Sequence, residues 1–265
     1  MAEKVKLIDV AKCTGCRGCQ LACKQWNNRP AKQTKALGTY QNPPDLQWNT
    51  WTLIRFQEVE SGEGVKWLFR KDGCMHCTDA ACVKVCPTGA LYHSELGTVG
   101  ILDERCIGCK ECVSACPFAI PRYNRETDSI AKCDLCLTRI RADLLPGCVK
   151  ACPTGTLTFG DKADMIKKAY ARVKELGGDA SVYGDKFVGG THVIYVLKEK
   201  KEVYDVLPAH PRVPLSVIAW KDLLKPLSLV AAGGVLASSF LHYITHGPKI
   251  PDDEDDDGKE GGGLG

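Results

Sequence analysis

Sixteen of the 265 residues are cysteine, and all sixteen fall into four runs of four. The first run is Cys13, Cys16, Cys19 and Cys23, and the third is Cys106, Cys109, Cys112 and Cys116; both are spaced C-x2-C-x2-C-x3-C. The second, Cys74, Cys77, Cys82 and Cys86, and the fourth, Cys133, Cys136, Cys148 and Cys152, are longer and end in Cys-Pro-Thr-Gly-x-Leu. The order is an internal repeat of two kinds, A, B, A, B, with no cysteine left over. Two-residue gaps wrap three thiolates round one face of a bound group, and the three-residue step sends the fourth sulfur one helical turn away. Whatever fold the chain adopts has to gather these thiols into sets.

Three chemistries compete for them. Disulfides need an oxidising compartment and do not leave cysteines three apart four times over. Structural zinc takes C-x2-C pairs closed into a tetrahedron, and the fourth run alone would pass for a zinc ribbon. Four runs of four, three of them followed by proline, favour iron–sulfur clusters instead. The A spacing is that of bacterial ferredoxins, in which three thiolates hold one 4Fe-4S cluster and the fourth reaches its neighbour. We therefore expect four 4Fe-4S clusters.

Pairing of the runs has two solutions. In the sequential one, run one pairs with run two and run three with run four. In the nested one, runs two and three form a central pair, 19 residues apart, and run one closes with run four. Nested pairing avoids bridging the 50 residues between Cys23 and Cys74, but spacing alone leaves both open.

The rest of the chain reads as α+β. Residues 5–10 form a strand into run one, and 24–47 a loop. Two β-rich stretches about Ser61-Gly62-Glu63-Gly64 form a hairpin. Asp161 is the expected N-cap of a helix over 162–176, ended by Gly177-Gly178, and 191–197 is a strand. Leu227 to Ile244 is free of formal charge for eighteen residues, about 27 Å of helix, the lower limit for a transmembrane span. The expected divisions are 1–160, the four-cluster region; 161–206, a helix–strand extension; 207–221, a linker; 222–246, the transmembrane helix; and 247–265, an acidic tail. The N-terminus has no apolar core or cleavage site and reads as carrying no signal peptide of its own.

Nothing resembles a catalytic site. Every run has its four thiolates, which leaves no open coordination position, and no nucleophile–base pair, phosphate loop or dinucleotide fingerprint stands out. Neither a nicotinamide cofactor nor a nucleic-acid partner is expected. His76, between Cys74 and Cys77, reads as a hydrogen-bond donor or charge that tunes a potential rather than as a ligand. Lys132 and Lys150 read as solvated lysines that could act similarly.

Cys74-Met-His-Cys77, Cys106-Ile-Gly-Cys109 with Cys116-Pro-Phe-Ala-Ile-Pro121, and Cys148-Val-Lys-Ala-Cys-Pro-Thr-Gly155 resemble iron–sulfur subunits of molybdopterin oxidoreductases. Val188-Gly-Gly-Thr-His-Val-Ile-Tyr-Val-Leu197, Trp220-Lys221, Lys225-Pro226-Leu227, His242-Tyr243 and Gly247-Pro248 narrow the resemblance to the β subunit of membrane-bound formate dehydrogenase, N and O types. It implies two ferredoxin-like subdomains of two 4Fe-4S clusters each, with a hairpin insertion and one C-terminal transmembrane helix. Nested pairing is implied too. Cys13, Cys16, Cys19 and Cys152 would hold cluster 1, and Cys23, Cys133, Cys136 and Cys148 cluster 2. Cys74, Cys77, Cys82 and Cys116 would hold cluster 3, and Cys86, Cys106, Cys109 and Cys112 cluster 4. The implied role is electron transfer, without a catalytic site of its own. The partners would be a catalytic α subunit with a molybdenum or tungsten pterin site and a cytochrome b type γ subunit that reduces quinone. Lys221 and Lys225 ahead of the helix favour a cytoplasmic cluster region. The resemblance implies instead a single-pass inner-membrane protein with its clusters in the periplasm. The alternative is the same wire serving a membrane hydrogenase or another molybdopterin oxidoreductase.

Overall fold

Alternating apolar residues make Lys4–Asp9 (β1) a strand buried along most of its length. It feeds run one, whose second half is the helix Gly18–Trp26 (α1). A long loop leads to the hairpin Thr52–Ser61 (β2) and Gly64–Gly73 (β3), which ends directly before Cys74. Run two holds Ala81–Val85 (α2) and is followed by Leu91–His93 (β4) and Val99–Ile101 (β5). Run three holds Glu111–Ala115 (α3), followed by Arg122–Asn124 (β6) and Ser129–Ala131 (β7). Run four holds Leu137–Arg141 (α4) and Gly147–Lys150 (α5), and leads into Leu157–Asp161 (β8). Then come Lys162–Leu176 (α6), Ser181–Tyr183 (β9), Val193–Leu197 (β10) and Leu215–Ile218 (α7). This structure, a computed structural model, describes residues 2–247 other than 37 and 63. Residues to 218 form one unit and those from 219 a second.

The main sheet has the order β8-β1-β10-β9, with β1 parallel to β10 and antiparallel to β8. Because β1 enters run one and β8 leaves run four, their pairing draws the first and last runs to one sheet end, with Ile8 opposite Leu157. Helix α1 packs on α5, and α2 on α3. So run one meets run four, and run two meets run three. One face of the sheet, Val5, Leu7, Ile194 and Val196, is covered by Met165, Ala169, Val173 and Leu176 of α6. Each large apolar side chain buried there contributes about 1.5–3 kcal/mol. From the other face Ile8, Val193, Tyr195 and Leu197 join the core that contains the cysteines. Strand β10 is buried on both faces, which explains its unbroken apolar run.

Helix α6 ends as expected at Gly177. Asp161 occupies the N-cap position, but its side chain caps nothing and accepts instead from Lys4 Nζ at 2.8 Å. The register that sets Asp161 opposite Lys4 gives the carboxylate a cationic partner in place of the helix N–H groups. The hairpin is longer than the sequence reading and sets Phe56 opposite Phe69, ring centroids 5.2 Å apart. Gly15 of run one rests on both rings, with left-handed backbone (φ +68°) and only 3.1 Å of room for a Cβ. Gly108, at the same place in run three, repeats that conformation (φ +65°). Glycine is needed there because a side chain would strain the loop. Arg55 pairs with Asp72 and Asp45, and Arg122 also reaches Asp45, which ties the hairpin to the strand after run three. Leu207, Val213 and Val217, in the stretch expected as a linker, are buried.

In the second unit, Ala219–Leu224 is π-helical and Lys225–His246 (α8) is an α-helix of 22 residues. At 1.5 Å per residue that is about 33 Å. The helical stretch Leu215–His246 is long and apolar enough to cross a membrane. Of the expected acidic tail, residues 248–265 lie outside the described residues.

Candidate metal centres

Two cavities show which thiols share a space. One is lined by Cys13, Cys16, Cys19 and Cys152, with Arg17, Ile54, Lys71 and Leu157 among the other residues of its wall. Another is lined by Cys86, Cys106, Cys109 and Cys112 between the apolar side chains of Leu91, Ile101 and Ile130. In each, three thiols come from an A run and one from the end of a B run.

The other eight thiols are coupled by charge, most strongly but not only within two groups. Burial raises the Cys77 thiol, and the thiolates of Cys74, Cys116 and Cys82 raise it further. Burial likewise pushes Cys23 and Cys136 up to about 12, with Cys133 and Cys148 adding to both. Cys19, Cys82 and Cys112 are also pushed up to about 12, chiefly by burial. Sets of close, dry thiols resist ionising on their own, because each thiolate repels the next. They become thiolates when a cationic metal core compensates. Among the described residues, no three Cys, His, Asp or Glu side chains come close enough to hold a single ion. The donor set fits a multi-iron core spread across a cavity better than it fits a tetrahedral zinc.

The Cys-Pro-Thr-Gly-x-Leu ending has a function that spacing did not reveal. Burial opposes ionisation of Cys86, yet backbone N–H groups of Leu91, Thr88 and Ala90 and the Thr88 hydroxyl hold its thiol below the ordinary range. Cys152 repeats this with Leu157 and with the Thr154 backbone and hydroxyl. Elsewhere the N–H of Ile130 donates to Cys106 Sγ at 3.4 Å and that of Leu135 to Cys133 Sγ at 3.3 Å. Such donors stabilise thiolates and tune cluster potentials.

His76 is fully buried; its Nδ1 accepts from the Val99 N–H at 3.1 Å. Burial and nearby lysines hold its pKa well below 6.5, so it is neutral and contributes no charge. Lys150 is exposed, as a solvated lysine should be. Lys132 is not solvated: it is 1% exposed, and its Nζ donates to the carbonyls of Val99 at 2.6 Å and Cys133 at 2.9 Å. Its charge favours the thiolates of Cys74, Cys82 and Cys116. Sequence reading missed Lys71 altogether. The available signal was the charged triplet Arg70-Lys71-Asp72 just before Cys74, all three buried.

Comparison with known proteins agrees with this architecture. Residues 12–90 and 65–162 each match a 4Fe-4S dicluster domain, and residues 213–256 match the family described as formate dehydrogenase N, transmembrane. The formate dehydrogenase iron-sulfur subunit of Haemophilus influenzae is 45% identical over 262 residues, covering 96% of this chain and 84% of the relative. In Escherichia coli K12, the nitrate-inducible formate dehydrogenase iron-sulfur subunit is 44% identical over 264 residues, 96% of this chain and 90% of the relative. The formate dehydrogenase-O iron-sulfur subunit of the same organism is 45% identical over 260 residues, 96% and 87%. These relatives fit the formate dehydrogenase reading and not the hydrogenase alternative. The chain is an electron-transfer subunit with four 4Fe-4S clusters and a membrane-anchoring segment. At 44–45% identity over 96% of its length, it belongs to the family of formate dehydrogenase iron–sulfur subunits.

Proposed function

We propose that the chain relays electrons from a formate-oxidising catalytic subunit, with molybdenum or tungsten on a pterin, to a membrane cytochrome b subunit and quinone. The carrying observation is the pairing of β1 with β8 and of α2 with α3. It supports nested ligand sets: Cys13, Cys16, Cys19 and Cys152; Cys23, Cys133, Cys136 and Cys148; Cys74, Cys77, Cys82 and Cys116; Cys86, Cys106, Cys109 and Cys112. Cys152 in the cavity of run one and Cys86 in that of run three are what nested pairing requires.

Neighbouring sets also feel one another's charge. Cys19 feels the charge of Cys148, Cys74 that of Cys133, and Cys82 that of Cys112. This supports a path in the order cluster 1, 2, 3, 4, with exposed Cys16 and Cys109 at its two ends. Each cluster, when bound, takes up and hands on one electron. The protein fixes the spacing, excludes water with side chains such as Leu91 and Ile130, and supplies N–H donors to the thiolates. Residues 1–160 carry the clusters and 161–206 cover the sheet. Residues 207–221 link to the single span 222–246 in the inner membrane, followed by the tail 247–265. The cluster region then lies in the periplasm.

The test is affinity purification from detergent-solubilised membranes. A pterin-bearing subunit and formate-dependent dye reduction are expected to co-purify. Recovery of a nickel-containing catalytic subunit instead would overturn the assignment.

A further inference from the structure

Lys71 is 2% exposed and lies on β3, with its carbonyl fixed by the Tyr195 hydroxyl at 2.8 Å. Its carboxylate neighbour, Asp72, is engaged by Arg55 and Arg70. A buried ammonium is tolerated only beside compensating negative charge. Burial opposes the Lys71 charge, and the charges of Cys148, Cys133, Cys19 and Cys23, drawn from both sets, outweigh it. Its side chain also lines the cavity shared by Cys13, Cys16, Cys19 and Cys152. Lys132, by contrast, serves the set of Cys74, Cys82 and Cys116.

We propose that Lys71 is a positioning residue of the electron relay, its ammonium held between clusters 1 and 2 so that an electron on either is stabilised. This rests on the ligand sets proposed above. Reduction by one electron from a mediator makes a thiolate-bound site one unit more negative, and a fixed cation nearby favours that state over the oxidised one. Because the charge lies at one junction, two of the four clusters should respond and two should not.

The experiment is an EPR-monitored redox titration of the purified complex carrying Lys71→Met or Lys71→Arg, with iron counted per chain. In Lys71→Met, two one-electron components are expected to fall by at least tenfold in their reduction equilibrium, about 59 mV. The other two stay in place, and Lys71→Arg, which keeps the charge, titrates like wild type. Unmoved potentials, four equal shifts, or an arginine variant shifted as far as methionine would overturn the proposal. Should Lys71→Met fail to load its iron, Lys71→Arg decides. Loading with wild-type potentials supports the role of charge, and failure to load rejects it. Iron counts in paired cysteine variants report the ligand sets separately, so unmoved potentials alongside intact ligand sets reject only Lys71.

Discussion

Alanine at Cys16 or Cys152 tests whether run one closes on run four. Four clusters of four irons give roughly sixteen irons per chain. Cys152 lines the cavity of Cys13, Cys16 and Cys19, so either change removes one thiolate from the same site and leaves three sites complete. Each single variant should therefore lose about one iron if a three-iron core survives, and about four if the cluster is lost. The pair Cys16→Ala with Cys152→Ala damages one site twice, so its loss stays at about four, because changes within one unit do not add. The pair Cys16→Ala with Cys86→Ala damages two sites, since Cys86 lines the other cavity. Its loss is expected to reach about eight irons when both clusters are lost. Iron and acid-labile sulfide analysis, with spin integration of the reduced complex, reads both numbers. Sequential pairing gives the reverse pattern, additive for 16 with 152 and non-additive for 16 with 86. That result would refute the nested arrangement.

Gly108→Ala places a Cβ 2.3 Å from Asp128 Oδ1 on a left-handed backbone. The conformation alone costs about 1–2 kcal/mol, so a lower melting temperature and iron loss confined to one cluster are expected; an unchanged protein contradicts the loop geometry. Burial holds the pKa of His192 below its usual value while its Nδ1 bonds the His76 carbonyl at 2.8 Å. Below about pH 6.5 the unfolded chain takes up a proton that the folded chain refuses, so stability falls by up to about 1.4 kcal/mol per pH unit as pH drops. Urea midpoints between pH 7.5 and 5 should show a shallower fall in His192→Gln, and an identical fall would show that this histidine is not responsible. Removing residues 219–265 deletes the unit that contains the apolar helix. The truncated subunit is expected to be released by alkaline carbonate, and its retention in the bilayer would contradict the anchoring role.

Local chemistry was legible in the sequence. Cysteine spacing announced the clusters, the β-rich stretches about the Gly62 turn announced the hairpin, and Gly177-Gly178 marked the end of α6. Pairing was not legible, because it depends on β1 meeting β8 and on β10, far down the chain, inserting beside β1. Spacing sees only neighbours, whereas sheet order is a long-range property. Asp161 takes the N-cap position expected of it, but its carboxylate is engaged by Lys4, which arrives through that same sheet. Lys71 and Lys132, two of the three buried lysines among the described residues, were hidden for a related reason. Lysine is almost never fully buried without a partner, and here the thiolates that compensate Lys71 and Lys132 come from several runs at once.

On the proposed function, this chain is a wire between formate oxidation and quinone. Freeze-quench EPR of the purified membrane complex tests it most directly. Formate added without quinone should reduce all four clusters, and quinone added next should reoxidise them at the rate of turnover. Clusters that stay oxidised while formate is consumed and quinone is reduced would contradict it.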